Sequence, residues 1–399
     1  MRAWLGRNGW LIAIAAAYLY VFPYFPKIHS ANELPRVYLV KAMVEDGTFA
    51  IDRGVARWGG TADVSPWGGH QYSNKAPGSS MLVVPAYAAV HAVAGEPSLA
   101  ATMWLCRVIA GVIPMLLFLP LLARFLARWA EPPVVRLVLV AYALGSMAMT
   151  YSILYISHQL AAVCVGSAWV LALEHAEGKR RLRAMAAAGF LAGAGVLVEY
   201  QAAFALPPLA VHVIVALRGR PRREVMRALG AAAAAAAIPI AALLAYHAAC
   251  FGDPLRTGYD ASQTFAEFHQ RGFLGITALR WEAFRGSTIA PDNGLVALAP
   301  WWLLALPGGV LLWRAGQRGV VMVCGSIAVI YLLFISSINF WRGGWSVGPR
   351  YITVMLPFLL PLVTAAVAAA RRRWWLLGAA AGTMVVGVAI YAAAAATFP

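Results

Sequence analysis

A chain of 399 residues that is 61% hydrophobic and only 12% charged has too few polar groups to cover a soluble globule of its size. Repeated apolar runs of about 18–25 residues instead match the ~30 Å hydrocarbon core of a bilayer, where each spanning segment must satisfy its own backbone as a helix. The net charge of +16 does not point to nucleic acid, because 19 of the 32 basic residues lie at the N-terminus and in short connectors such as those around Arg180, Arg222 and Arg372, as cytoplasmic segments require.

These features predict an all-α, polytopic membrane protein of about eleven spans, organised as one transmembrane domain over 1–399 with no separate soluble domain. The first apolar run starts like a secretory signal but is long enough to span, so it reads as an uncleaved helix. After it, Lys27–Ser80 is the longest polar passage in the chain. Within that passage ANELPRVYLVKAMVEDG reads as a short amphipathic helix stopped by Gly47, and Gly- and Pro-rich turns follow. Met81–Gly95 is apolar but short and interrupted by Pro85; were it to cross, every later basic connector would lie outside. It is therefore expected to lie along the interface, as a second juxtamembrane helix. The Ala-rich tracts are expected to allow close helix packing.

The resulting topology has the N-terminus in the cytoplasm and the C-terminus outside. It places five regions on the external face: the loop 27–98, the corner Thr150–Gln159, the turn Glu199–Gln201, a second long loop 250–295 and the loop Asn339–Tyr351. The residues hardest to explain as membrane filler collect there. Glu33 opens the amphipathic helix, either as a general base for an acceptor hydroxyl or as a capping acid. Asp46, Asp52 and Asp63 read as turn formers or acceptor contacts. Lys75, before the Pro77-Gly78 turn, is a point charge for a phosphate or a snorkelling lysine. His158 is a structural or substrate-binding histidine, and Glu199 is a carboxylate at the rim of a span that demands a partner or a function. In NFWRGGWSVGPRY, Arg342 and Arg350 flank a glycine-rich turn beside Trp341, Trp345 and Tyr351, which suits an anion and an apolar tail; the alternative is an aromatic belt. Arg36, Tyr72 and Tyr259 complete the candidate substrate contacts. The four cysteines stand singly, so neither a disulfide framework nor a zinc site is expected.

These motifs, taken in order, resemble the GT-C superfamily of membrane glycosyltransferases, nearest the branch of protein O-mannosyltransferases and aminoarabinose transferases. The matching elements are Glu33 after the first span, Lys75–Gly78, the Tyr151-Ser152…His158 corner, VEYQ at Glu199, FGDPLRTGY ending at Tyr259, PDNGLVALAP, and WRGGWSVGPRY ending at Tyr351. One departure is Asn32-Glu33 where relatives have an Asp-Glu pair; another is that no large C-terminal soluble domain follows. The resemblance implies a glycosyltransferase of the inner (plasma) membrane. It would move a sugar from a polyprenyl-phosphate donor to an acceptor hydroxyl on the periplasmic or exterior side, by inverting single displacement. Glu33 would act as base, with Lys75, Arg342, Arg350 and Tyr351 on the donor phosphate and lipid. A protein, lipid or glycan is the implied acceptor and membrane lipids the surroundings. No organic cofactor is called for, and a divalent metal is left open, without a DxD motif to support one. The rival reading is a lipid-linked-sugar flippase or transporter, against which stand the missing internal repeat and the one-sided clustering of polar residues.

Overall fold

In the computed structural model, which describes residues 2–21, 30–273, 275–344 and 346–397, the chain is helical almost throughout. α1 (Arg2–Val21) precedes the polar passage, which folds as α2 (Leu34–Lys41), α3 (Asp52–Trp58) and a hairpin of β1 (Val64–Trp67) and β2 (His70–Ser73). Next come α4 (Gly78–Ala94), then α5 (Leu99–Arg107) and α6 (Ile113–Leu126), joined through a π-helical turn. α7 (Pro132–Leu144), α8 (Met147–Ile153), α9 (His158–Ala176), α10 (Leu182–Val198), α11 (Leu206–Ala216) and α12 (Arg222–Phe251) form the middle of the chain. The second long loop carries α13 (Ala266–His269), α14 (Trp281–Thr288) and α15 (Leu295–Leu298). The chain then closes with α16 (Ala305–Arg314), α17 (Arg318–Ser337), α18 (Leu356–Ala370) and α19 (Trp374–Thr397).

Six helical stretches among the described residues are long and apolar enough to cross a membrane; α7 and α8, bent by 57°, make a seventh if they form one span. The expected count of about eleven is not reached, and several apolar helices are shorter than a simple span. The α10 helix has 17 residues, a rise of about 25 Å against a ~30 Å core. The length criterion therefore does not reach eleven.

Small residues set the helix spacing. A Cβ on Gly189 would lie 2.0 Å from the carbonyl oxygen of Ala232, and one on Gly193 2.6 Å from that of Ala236, so α10 and α12 touch backbone to backbone. At Gly308 the same test gives 1.7 Å to the Leu362 oxygen, which joins α16 to α18.

The polar passage is more ordered than its turn-rich sequence suggests. Gly47, with φ of +65°, ends the α2 helix and its π-turn in the left-handed region, as expected of a stop residue. However, Pro35 through Lys41 are all buried. Instead of lying amphipathically at an interface, α2 is enclosed by protein, packed against α4, α5 and β2. Buried Lys41 pairs with Glu45 at 2.8 Å and Glu96 at 3.2 Å, fixing α2 to the end of α4. The hairpin turns through Gly68 and Gly69, φ +58° and +85°, the two-residue geometry that glycine supplies without strain. Its register pairs Val64 with Ser73 and Trp67 with His70. This is the only sheet among the described residues, a small exception to the all-α expectation.

Candidate active site

The five regions expected on one face come together, and their contacts form a connected network. Arg36, fully buried on α2, donates through Nη1 to the Ala76 carbonyl at 3.2 Å and to Ser79 Oγ at 3.3 Å, and through Nε to Asn32 Oδ1 at 3.2 Å. Its Nη2 lies 3.7 Å from Glu199 Oε2. Glu199 sits between α10 and the 3-10 segment Tyr200–Ala205 in an extended conformation, and this break turns its side chain into the protein. His158, at the start of α9, places Nδ1 3.4 Å from the same Glu199 oxygen, and Gln201 Nε2 lies 2.9 Å from that ring nitrogen. The imidazole packs edge-on against Tyr151 and Tyr351, with centroids 5.8 and 5.5 Å apart. Arg350 follows, its guanidinium 5.3 Å from the Tyr351 ring.

Lys75 lies on the other side, one residue from the carbonyl that Arg36 grips. Its ammonium pairs with Asp63 Oδ1 at 2.9 Å, and Asn74 Nδ2 donates to the same oxygen at 3.3 Å. Burial pushes the Lys75 pKa below the usual lysine range; Asp63 opposes that shift, and the nearby charges of Arg350 and Arg36 add to it. The Tyr259 ring stands 5.7 Å from Nζ and stacks on His269 at 4.4 Å, closing the site from the second loop. That loop is seated tightly: a Cβ on Gly258 would lie 2.6 Å from the Asn74 Cα, and Ser65 Oγ donates to the Gly258 carbonyl. Burial holds His269 down at about 4, with Lys75 contributing, so its imidazole is neutral at physiological pH.

The cluster thus holds three buried cations, Arg36, Lys75 and Arg350, against two buried carboxylates, Asp63 and Glu199. Buried Arg350 Nε has no hydrogen-bond partner among the described residues, and neither has His158 Nε2. A buried charge without a partner is costly, so an excess of cations facing inward is a place for an anion. Among the described residues no group of three His, Cys, Asp or Glu side chains converges as a metal site, and none is assigned to a metal.

Three expectations change. Glu33 is 1% exposed, and its two oxygens take a bidentate pair from Arg107 at 2.9 and 3.0 Å; Oε1 also accepts the Tyr155 N–H at 2.6 Å. It faces into the scaffold with its acceptor positions occupied, which suits neither a capping acid, since it makes no side-chain cap bond, nor an exposed base. Arg342 is exposed on the surface, paired with Asp292 at 2.8 Å, and lies outside the buried cluster. Tyr72 packs edge-on against Phe251 in a separate apolar group with Tyr38 and Tyr246. Trp345 lies outside the described residues. Asp63, read from the sequence as a turn former or an acceptor contact, pairs with Lys75 in the buried cluster. The signal was available: two Gly between VSPW and HQYS mark a two-residue hairpin, which sets Asp63 across from Asn74 and beside Lys75.

The helical scaffold with its inserted hairpin has a fold that solved structures share. Among solved structures, ArnT from Cupriavidus metallidurans in the apo state superposes with a TM-score of 0.57 at 14% identity, covering 94% of this chain and 63% of its own. The same protein bound to undecaprenyl phosphate gives 0.56 at 13% identity, over 93% and 63%. The oligosaccharyltransferase AglB from Archaeoglobus fulgidus, in complex with an inhibitory peptide and a dolichol-phosphate, gives 0.57 at 13%, over 98% and 56%. The chain therefore spans less than two thirds of the length of these neighbours. No protein-family model and no curated protein matches it.

Proposed function

We propose that the chain is a glycosyltransferase that takes a sugar from a polyprenyl-phosphate-linked donor and delivers it to an acceptor hydroxyl on the non-cytoplasmic side. The observation that carries this reading is the excess of buried cations around Lys75 and Arg350, on a fold whose solved examples hold undecaprenyl phosphate or a dolichol-phosphate. Lys75 and Arg350 bind the donor phosphate from two sides, and Tyr351 and Tyr259 pack beside it. As the bond between anomeric carbon and phosphate oxygen breaks, these cations stabilise the charge gathering on the departing polyprenyl phosphate. With about eleven helical segments and the N-terminus in the cytoplasm, the site faces the periplasm or exterior of the plasma membrane, and the basic connectors lie opposite it. At that far end Arg124 and Arg180 both hold Glu174, and Arg128 holds Glu177.

The test is reconstitution of the full chain in lipid nanodiscs with a panel of undecaprenyl-phosphate-linked hexoses and pentoses. The delipidated envelope of the source cell serves as acceptor. Time-dependent transfer from one donor is the expected result; tight binding of every donor with no transfer would favour a carrier of lipid-linked sugars.

A pH dependence follows from Lys75. Phosphate binding needs its protonated form, and burial lowers its pKa, so affinity for undecaprenyl phosphate should decline on the alkaline side at a lower pH than an ordinary lysine, near 10.4, would allow. Lys75→Arg, whose guanidinium stays charged, should extend binding to higher pH. Titration by native mass spectrometry or filter binding reads both curves; superimposable profiles would argue against phosphate contact at this position.

A further inference from the structure

We infer that Glu199, not the first-loop acid Glu33, is the catalytic base that deprotonates the acceptor. This rests on the transferase reading above and adds the residue that activates the nucleophile. A base needs a free lone pair, a position beside the attacking acceptor, across the reacting carbon from the leaving group, and a means of being held in place. The three buried carboxylates of this region differ sharply in the first respect. Glu33 accepts three hydrogen bonds of 2.6–3.0 Å, two of them from a guanidinium. Asp63 is engaged by the Lys75 ammonium at 2.9 Å and by Asn74 at 3.3 Å. Glu199 has only looser neighbours, His158 Nδ1 at 3.4 Å and Arg36 Nη2 at 3.7 Å, both on Oε2. Among the described residues its Oε1 has no partner in hydrogen-bond or ion-pair contact.

Position is argued from the network of contacts. From Glu199, one path runs through Arg36 to the Ala76 carbonyl, next to Lys75. The other runs through His158 and the edge of Tyr351 to Arg350. The charges of Arg36, Lys75 and Arg350 all bear on Glu199. The carboxylate thus neighbours the donor site without joining its phosphate clamp, with Arg36 between it and Lys75 and with His158 and Tyr351 between it and Arg350. An acceptor oxygen held there would lie across the anomeric carbon from the phosphate. Arg36 acts as the positioning residue, itself fixed by Asn32 and Ser79, while His158, whose Nδ1 accepts from Gln201 Nε2, only borders the carboxylate.

In the step this implies, the acceptor O–H passes its proton to Glu199 Oε1. The acceptor oxygen forms its bond to the anomeric carbon from the face opposite the phosphate. The anomeric carbon–oxygen bond breaks, and its electron pair leaves on polyprenyl phosphate. The proton on Glu199 is then lost to solvent, with no oxidant or further reactant.

The experiment compares wild-type and E199Q full-length protein in nanodiscs, reading undecaprenyl phosphate binding and sugar transfer separately. E199Q should bind undecaprenyl phosphate within about three-fold of wild type while its kcat falls about 10²–10⁴-fold. Its residual rate should lose the acidic limb of the wild-type pH profile, and formate should restore part of the rate in E199A. Transfer by E199Q within a few-fold of wild type, with binding retained, overturns Glu199 as base. Should E199Q not accumulate, E199D keeps the charge and the ion pairs: it should retain the acidic limb but slow about 10–10²-fold through displacement of the oxygen, and an unchanged E199D rate overturns the proposal equally. Wild-type protein that binds no undecaprenyl phosphate would instead sink the transferase reading itself, which separates the two failures.

Discussion

Arg350→Ala should cut sugar transfer by about 10²–10³-fold, the usual loss when one preorganised charge donor is removed from a site where negative charge develops. The expected effect divides unevenly: donor binding weakens strongly, acceptor binding hardly at all. The reason is in how Arg350 is held. It is buried just before α18 with an unpartnered Nε; Tyr351 and Tyr151 act most on its charge, and Asp63 less. No salt bridge among the described residues depends on it, so truncation leaves no carboxylate stranded in the interior, and the thermal midpoint should move little. Donor titration and acceptor titration on the same preparation check this; equal weakening of both, or collapse of the fold, would show Arg350 to be structural.

The second large effect is one of stability. Glu33→Gln removes half of a bidentate ion pair between two residues at 1% and 5% exposure, leaving Arg107 charged inside the protein. Breaking a buried pair in this way costs about 3–5 kcal/mol, a large share of the stability of any domain. The Tyr155 N–H, which closes the turn between α8 and α9, also loses its ionised acceptor. The variant should accumulate poorly and melt several degrees lower in detergent. Replacing both partners with apolar residues should recover much of the loss, since the buried pair is then removed as a unit. A Glu33→Gln protein with normal stability but no transfer would instead return Glu33 to the role expected from the sequence.

These two residues show where reading the sequence stops. Lys75, His158, Glu199, Arg350 and Tyr351 could be singled out because polar side chains beside apolar helices need a partner or a task. Gly47 could be named as a stop because a left-handed residue favours glycine. Glu33 was equally visible, yet its role turned on Arg107, 74 residues further on, on a different helix. Arg342 had the composition of an anion ligand, but its loop carries it outward to Asp292. Asp63 reads as a turn former or an acceptor contact, although the Gly68-Gly69 hairpin brings it beside Lys75.

What the sequence determined by itself is the class of molecule: a helical, multi-pass membrane protein. That follows from forces summed over many residues, the apolar area of each span and the obligation of a backbone in lipid to bond within its own helix. What only the tertiary structure decided is which carboxylate meets which cation. Ion pairing and hydrogen bonding are set by separations of a few ångströms between segments as distant as Ser65 and Gly258, and the energies change steeply over that range. The difference between 2.9 Å at Glu33 and 3.4 Å at Glu199 distinguishes a carboxylate in a direct ion pair from one with only looser neighbours.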